Sequence, residues 1–126
     1  MVIVIIHWRI KPSDEAEKQF IEFWRGLKIK DKTKIVGEFL SVPVPAAEFK
    51  YLVDDLSKGH AASDCRHFMN IGIWADADAF EEQVGQWFND DRPPQPFEVE
   101  RRTRTILSPK EWRRGASQLP DAGSCD

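Results

Sequence analysis

The stretch Arg66–Phe88, RHFMNIGIWADADAFEEQVGQWF, constrains this chain more than any other. From Phe68 to Trp74 the side chains alternate between two faces, as a period-two strand requires. Phe68, Asn70, Gly72 and Trp74 point one way; Met69, Ile71 and Ile73 point the other. Both faces are mostly apolar, which predicts a central strand covered on both sides. Asp76 then offers a side-chain oxygen to the free N–H groups of a new helix, and Asp78 adds negative charge at its positive end. Phe80, Val84, Trp87 and Phe88 recur on one apolar helical face. The polar exception is Asn70. A buried amide must be hydrogen-bonded or it costs free energy. Asn70 and Trp74 share a face, so this pair is the natural place to look for chemistry.

Around this segment the other elements follow from the same periodicities. Val2–Arg9 is β-branched on both faces and reads as a second central strand. Lys11-Pro12 stops it, and Ser13 caps a helix with Asp14 and Glu15 in its first turn. Ala16, Phe20, Phe23, Trp24 and Leu27 recur at helical spacing. The charged run Lys28–Lys34 is an exposed connector. Ile35–Val42 is a shorter strand, with Val36, Glu38 and Leu40 on one face; Pro43 and Pro45 end it. Residues 43–65 form an insertion with room for a short helix over Ala46–Leu56. After the breaker run Asn89–Pro94, Phe97–Leu107 is the last strand.

The order is β-α-β, connector, β-α-β. Gln19-Phe20 and Phe23-Trp24 align with Gln83-Val84 and Trp87-Phe88, a weak internal echo. Two stacked split β-α-β halves predict an α+β, ferredoxin-like βαββαβ fold. Helices would cover one face of a four-stranded antiparallel sheet, with the first and third strands in the middle. Residues 1–108 make that domain, and residues 109–126 a polar, partly frayed extension. If Asn70 and Trp74 look toward the helices, Met69, Ile71 and Ile73 look away. We expect Val4, Ile6 and Trp8 to look away with them. Leaving such a surface wet costs roughly 25 cal/mol per Å² relative to burying it. A homodimer packed through the sheet faces removes that cost.

The net charge of −3 gives no general pull toward nucleic acid or anionic membrane. MVIVIIHW is too short to span a bilayer and lacks signal-peptide features, which predicts a cytoplasmic protein without membrane attachment. Cys65 sits in a polar loop and Cys125 near the end of the sequence. Neither has zinc spacing, and no histidine pair has helical metal spacing. No metal or other cofactor is expected.

VIVIIHWRIKP with its following helix, NIGIWADADAF and FEVERRTRTIL together resemble the dimeric α/β-barrel superfamily, and within it the antibiotic-biosynthesis-monooxygenase-like domains. The resemblance covers about residues 1–42 and 66–108. It implies a pocket between sheet and helices in each subunit. Some members are cofactor-free oxygenases acting on polycyclic phenols, and related members degrade haem. The oxygenases carry an Asn and a Trp on the third strand, which Asn70 and Trp74 match. By that resemblance the Asn amide polarises a substrate oxygen and the indole N–H is a second donor. His7 corresponds to a polar pocket residue on the first strand and would move a proton. Phe20, Phe80 and Arg101 are the candidates to touch the substrate, Arg101 because it shares the face of Phe97 and Val99. Two departures count against parts of this. Phe80 stands where the phenol oxygenases use a Tyr, and residues 76–96 hold no histidine to ligate haem.

Each site residue also has a plainer reading. Asn70 and Trp74 are a satisfied core amide and a core indole; His7 is a hydrogen-bonded core or interface histidine; His60 and His67 are loop residues. Glu98 and Glu100 share a face with Arg102 and Arg104, the pattern of an ionic ladder on an exposed strand face or dimer contact. Two functions remain. One is a monooxygenase-like oxidoreductase acting on a small aromatic or quinone-like metabolite. The other is a non-catalytic dimeric small-molecule-binding or stress-related protein.

Overall fold

The computed structural model describes residues 1–56, 64–88 and 91–118. The order is β1 (Val2–Ile10), α1 (Asp14–Gly26), β2 (Ile35–Ser41), β3 (Arg66–Trp74), α2 (Ala77–Val84) and β4 (Glu98–Leu107). Both helix starts follow from their caps. Ser13 Oγ accepts from Ala16 N at 3.1 Å, and Asp76 Oδ1 accepts from Ala79 N at 2.7 Å. Each bond satisfies an N–H that the first helical turn leaves open. The second helix ends at Val84, and a 3₁₀ turn over Gly85–Trp87 carries the aromatic residues that follow. The short helix expected over Ala46–Leu56 is only a 3₁₀ turn at Ala46–Glu48. Beyond it Tyr51 and Leu52 are exposed, so no apolar face is buried to hold a longer helix. Residues 57–63 of the insertion, His60 among them, lie outside the described residues, as do residues 119–126, Cys125 among them.

The strands form one four-stranded antiparallel sheet in the order β2-β3-β1-β4, giving a small α+β fold. Its register corrects one expectation. Val4 pairs with Gly72, Ile6 with Asn70 and Trp8 with Phe68. Directly paired residues point to the same side, so Val4, Ile6 and Trp8 face the helices together with Asn70 and Trp74. The side turned away carries Ile3, Ile5 and His7 beside Ile73, Ile71 and Met69.

On the helix side the core falls into two clusters. Under α1, Trp8, Ile10, Phe68 and Phe97 pack around Phe20, which lies 4.9 Å from the Trp8 ring and 5.0 Å from Phe68. Under α2, Val4 and Trp74 pack on Ala79 and Phe80, with 5.4 Å between the Trp74 and Phe80 rings. The cross-strand pair Ile6–Asn70 lies between the clusters.

Two irregularities set the sheet edges. The β2 register slips between Ile35 and Gly37, so Val36 bulges out and is 55% exposed while Glu38 stays on the helix side. The β1–β4 register shifts between His7 and Arg9 and again before Ile10. The Glu98–Arg102 pair, expected in a ladder on an exposed strand face or at a dimer contact, is buried within the chain. Its side chains are 0% and 7% exposed, its N···O separation is 3.1 Å, and the Arg102 guanidinium lies 4.6 Å above the Trp8 ring.

Candidate functional site

The gap between the two core clusters is a cavity, floored by Ile6, Glu38, Asn70 and Trp74 of the sheet. Its walls are aromatic: Phe23 and Trp24 from α1, Phe80 from α2, and Trp87 and Phe88 after it. Arg102 and Arg104 are, with Glu38, its charged lining. Its volume is about 50 Å³, less than the roughly 150 Å³ in which an apolar cavity holds a benzene. Phe23, Trp24, Trp87 and Phe88 are half-buried and form its mouth.

Asn70, 5% exposed, is held at both ends of its amide. Trp24 Nε1 donates to Asn70 Oδ1 at 3.1 Å, and Asn70 Nδ2 donates to Glu38 Oε2 at 3.2 Å. An indole only donates and a carboxylate only accepts, so the amide orientation is fixed by its neighbours. Glu38 is the residue that sequence reasoning passed over. Burial pushes its carboxyl above the ordinary value, and the Asn70 hydrogen bond only partly offsets this. The signal was present in the alternation, which set a carboxylate on the same face as Leu40.

Trp74 is 1% exposed. Its indole lies back along the strand over Gly72, where a Cβ would sit 2.6 Å from Nε1. Glu38 is the cross-strand partner of Gly72, and its Cβ is 3.7 Å from the same point. The indole donor and the carboxylate stem therefore converge over one glycine. Trp74 Nε1 has no hydrogen-bond partner among the described residues.

Arg102 is committed to structure. It donates to both oxygens of Glu98 and, through its other terminal nitrogen, to Trp87 O at 3.3 Å. Burial lowers its proton affinity and the Glu98 charge opposes that loss. The Arg104 guanidinium lies 4.5 Å over the Phe88 ring.

The remaining residues singled out in the sequence are dispersed. Phe80 lines the cavity, whereas Phe20 belongs to the core under α1. Arg101 turns toward the segment before β4 and donates to the carbonyls of Arg92 and Pro93. His7 is on the opposite side of the sheet from Asn70. There His7 Nε2 lies 2.8 Å from His67 Nδ1, and His7 Nδ1 lies 3.2 Å from an Arg9 terminal nitrogen. His67 Nε2 lies 3.3 Å from Cys65 Sγ. Cys65 is buried rather than in an open loop, and burial pushes its thiol up. Among the described residues, no group of three or more His, Cys, Asp or Glu side chains has the geometry to hold a metal ion. Among the same residues, no helix is long and apolar enough to cross a membrane. No protein-family model and no curated protein matches the sequence.

Proposed function

We propose that the cavity binds a small planar aromatic or quinone-like metabolite. On this reading the chain is a cofactor-free, monooxygenase-like enzyme of the antibiotic-biosynthesis-monooxygenase type, with the ferredoxin-like form of the α+β fold. One observation carries the reading. Trp74, a side chain 1% exposed, lines an aromatic-walled cavity beside Asn70, and its Nε1 donates to no described residue. An indole N–H can only donate, so a ligand oxygen in the cavity would give it an acceptor. The aromatic walls supply stacking surface for a flat ring. A ring enters as the half-buried mouth side chains turn aside. The chemistry needs only substrate and dioxygen. A deprotonated ring CH₂ gives an electron to O₂, recombines with it, and loses water, so CH₂ and O₂ become C=O and H₂O.

The pairing of subunits belongs to the same proposal. Ile3, Ile5, Met69, Ile71 and Ile73, with Phe39 of β2, form the apolar side on which neither helix packs. A second copy placed there by a two-fold axis buries it.

The full amide of Asn70 and the missing hydroxyl at Phe80 favour a second reading, in which the site binds but does not turn over. Oxygen uptake with hydroquinones, anthrones and flavonols, alongside quenching of tryptophan emission, tests both. We expect quenching, and uptake that Trp74→Phe lowers by about 100–1,000-fold, since that change removes one donor and keeps the wall. Quenching without uptake would leave only the binding function. Neither signal with any compound would end the proposal.

A further inference from the structure

We propose that Glu38 is the proton acceptor of this cavity, and that its ligand carries an acidic hydroxyl next to a carbonyl oxygen. This rests on the cavity being a ligand site.

The geometry gives both halves. Glu38 Oε2 is tied to Asn70, and Asn70 is turned toward it by Trp24. The other carboxylate oxygen has no hydrogen-bond partner among the described residues, on a side chain that lines the cavity. Trp74 Nε1 and the Glu38 stem both lie over Gly72: a Cβ there would sit 2.6 Å from Nε1 and 3.7 Å from Glu38 Cβ. A donor side chain and an acceptor side chain flanking one glycine match a ligand that presents an acceptor and a donor side by side. An α-hydroxy-enone or a hydroxyl adjacent to a ring carbonyl has that edge.

The step is a proton transfer. The ligand O–H breaks, its proton moves to the free oxygen of Glu38, and the electron pair stays on the ligand oxygen. The resulting anion is held by the Trp74 N–H. Besides Glu38, the charged groups facing the cavity are Arg102 and Arg104, both on β4. Arg102 is paired with Glu98 and the Arg104 guanidinium lies over the Phe88 ring. Burial makes Glu38 a stronger base than an open carboxylate. Asn70 touches no ligand here; it positions the carboxylate.

The probe is 3-hydroxyflavone, whose anion absorbs at longer wavelength than its neutral form, with flavone and 3-methoxyflavone as partners lacking the proton. With the wild-type chain at a pH where free 3-hydroxyflavone is neutral, we expect the anion band to appear. The two partners should bind at least tenfold more weakly. Glu38→Gln keeps the Asn70 hydrogen bond, so it should bind 3-hydroxyflavone within about threefold of wild type but show no anion band. Glu38→Asp should restore part of the band. An equal anion band in Glu38→Gln would overturn the role of Glu38 while leaving the cavity a ligand site. No binding of any of the three compounds to wild type would overturn both.

Discussion

A Cβ on Gly72 would sit 2.6 Å from Trp74 Nε1, so the bare backbone of one residue is the surface on which the other lies. Trp74 is also wedged against Phe80 and cannot retreat freely. Gly72→Ala should therefore tilt the indole. We expect a loss of about 1–3 kcal/mol, the usual cost of overpacking, read from a urea denaturation midpoint. Tryptophan emission of the folded variant should change at the same time. An unchanged midpoint and spectrum would mean that the indole does not rest on Gly72.

Much of this arrangement is legible along the chain, and what is not legible has a common cause. Ser13 and Asp76 can be recognised because a cap is a local event, satisfied within three residues. Alternation likewise groups Phe68, Asn70, Gly72 and Trp74 correctly. It does not say how a neighbouring strand is aligned, and a one-residue slip exchanges its faces. That is why Val4, Ile6 and Trp8 were expected on the wrong side, and why Glu98 and Arg102 read as a ladder on an exposed face or at a dimer contact. Arg102 is drawn inside by Glu98, by the Trp87 carbonyl and by the Trp8 ring. Within the site, Asn70 and Trp74 stand out in the sequence. Trp24 and Glu38 matter only because folding brings them to the two ends of one amide.

The buried pair makes a strong demand on stability. Glu98→Gln leaves the Arg102 charge without its counter-ion in a site where the two side chains are 0% and 7% exposed. Breaking one side of a buried ion pair costs about 3–5 kcal/mol. We expect a loss of that order by chemical denaturation. Replacing both residues, as in Glu98→Leu with Arg102→Met, should recover much of it. A double variant as unstable as the single one would show that the Gln95 N–H and Trp87 O contacts dominate instead.

On the far side of the sheet, hydrogen-bond direction sets the histidine tautomers. A guanidinium only donates, so Arg9 makes His7 Nδ1 an acceptor and leaves the proton on Nε2. His7 Nε2 then donates to His67 Nδ1, and His67 carries its own proton on Nε2, facing Cys65 Sγ. Nitrogen-15 spectra of the imidazoles at neutral pH should find both rings as Nε2–H tautomers. Arg9→Met should release that preference at His7. A protonated Nδ1 at His7 in the wild type would contradict the direction of the chain.

Ile5 and Ile71 are cross-strand partners at the centre of the uncovered apolar face, and Phe39 pairs with Ile71 from the other side. Sedimentation equilibrium at micromolar concentration should give twice the 14.6 kDa chain mass. Ile71→Glu puts a charge at the centre of the proposed interface and should give the single chain mass with its circular dichroism retained. A wild-type monomer at that concentration would remove the paired arrangement.

Glu38 should also leave a mark on stability against pH. Its folded carboxyl lies above the ordinary 4.5 because burial disfavours the charge. The folded chain then holds this proton more tightly than the unfolded chain does. The resulting stabilisation is fully present below the unfolded value near 4.5 and is lost as pH rises through the higher folded value. Glu38→Gln cannot ionise and keeps an oxygen for the Asn70 amide. Relative to this variant, the wild type should therefore lose stability as pH rises above about 4.5 and level off once the higher folded value is passed. Thermal midpoints of both proteins across that range read the difference directly. A wild type that gains on the variant as pH rises would mean that Glu38 is stabilised as a carboxylate, and that its neighbours outweigh its burial.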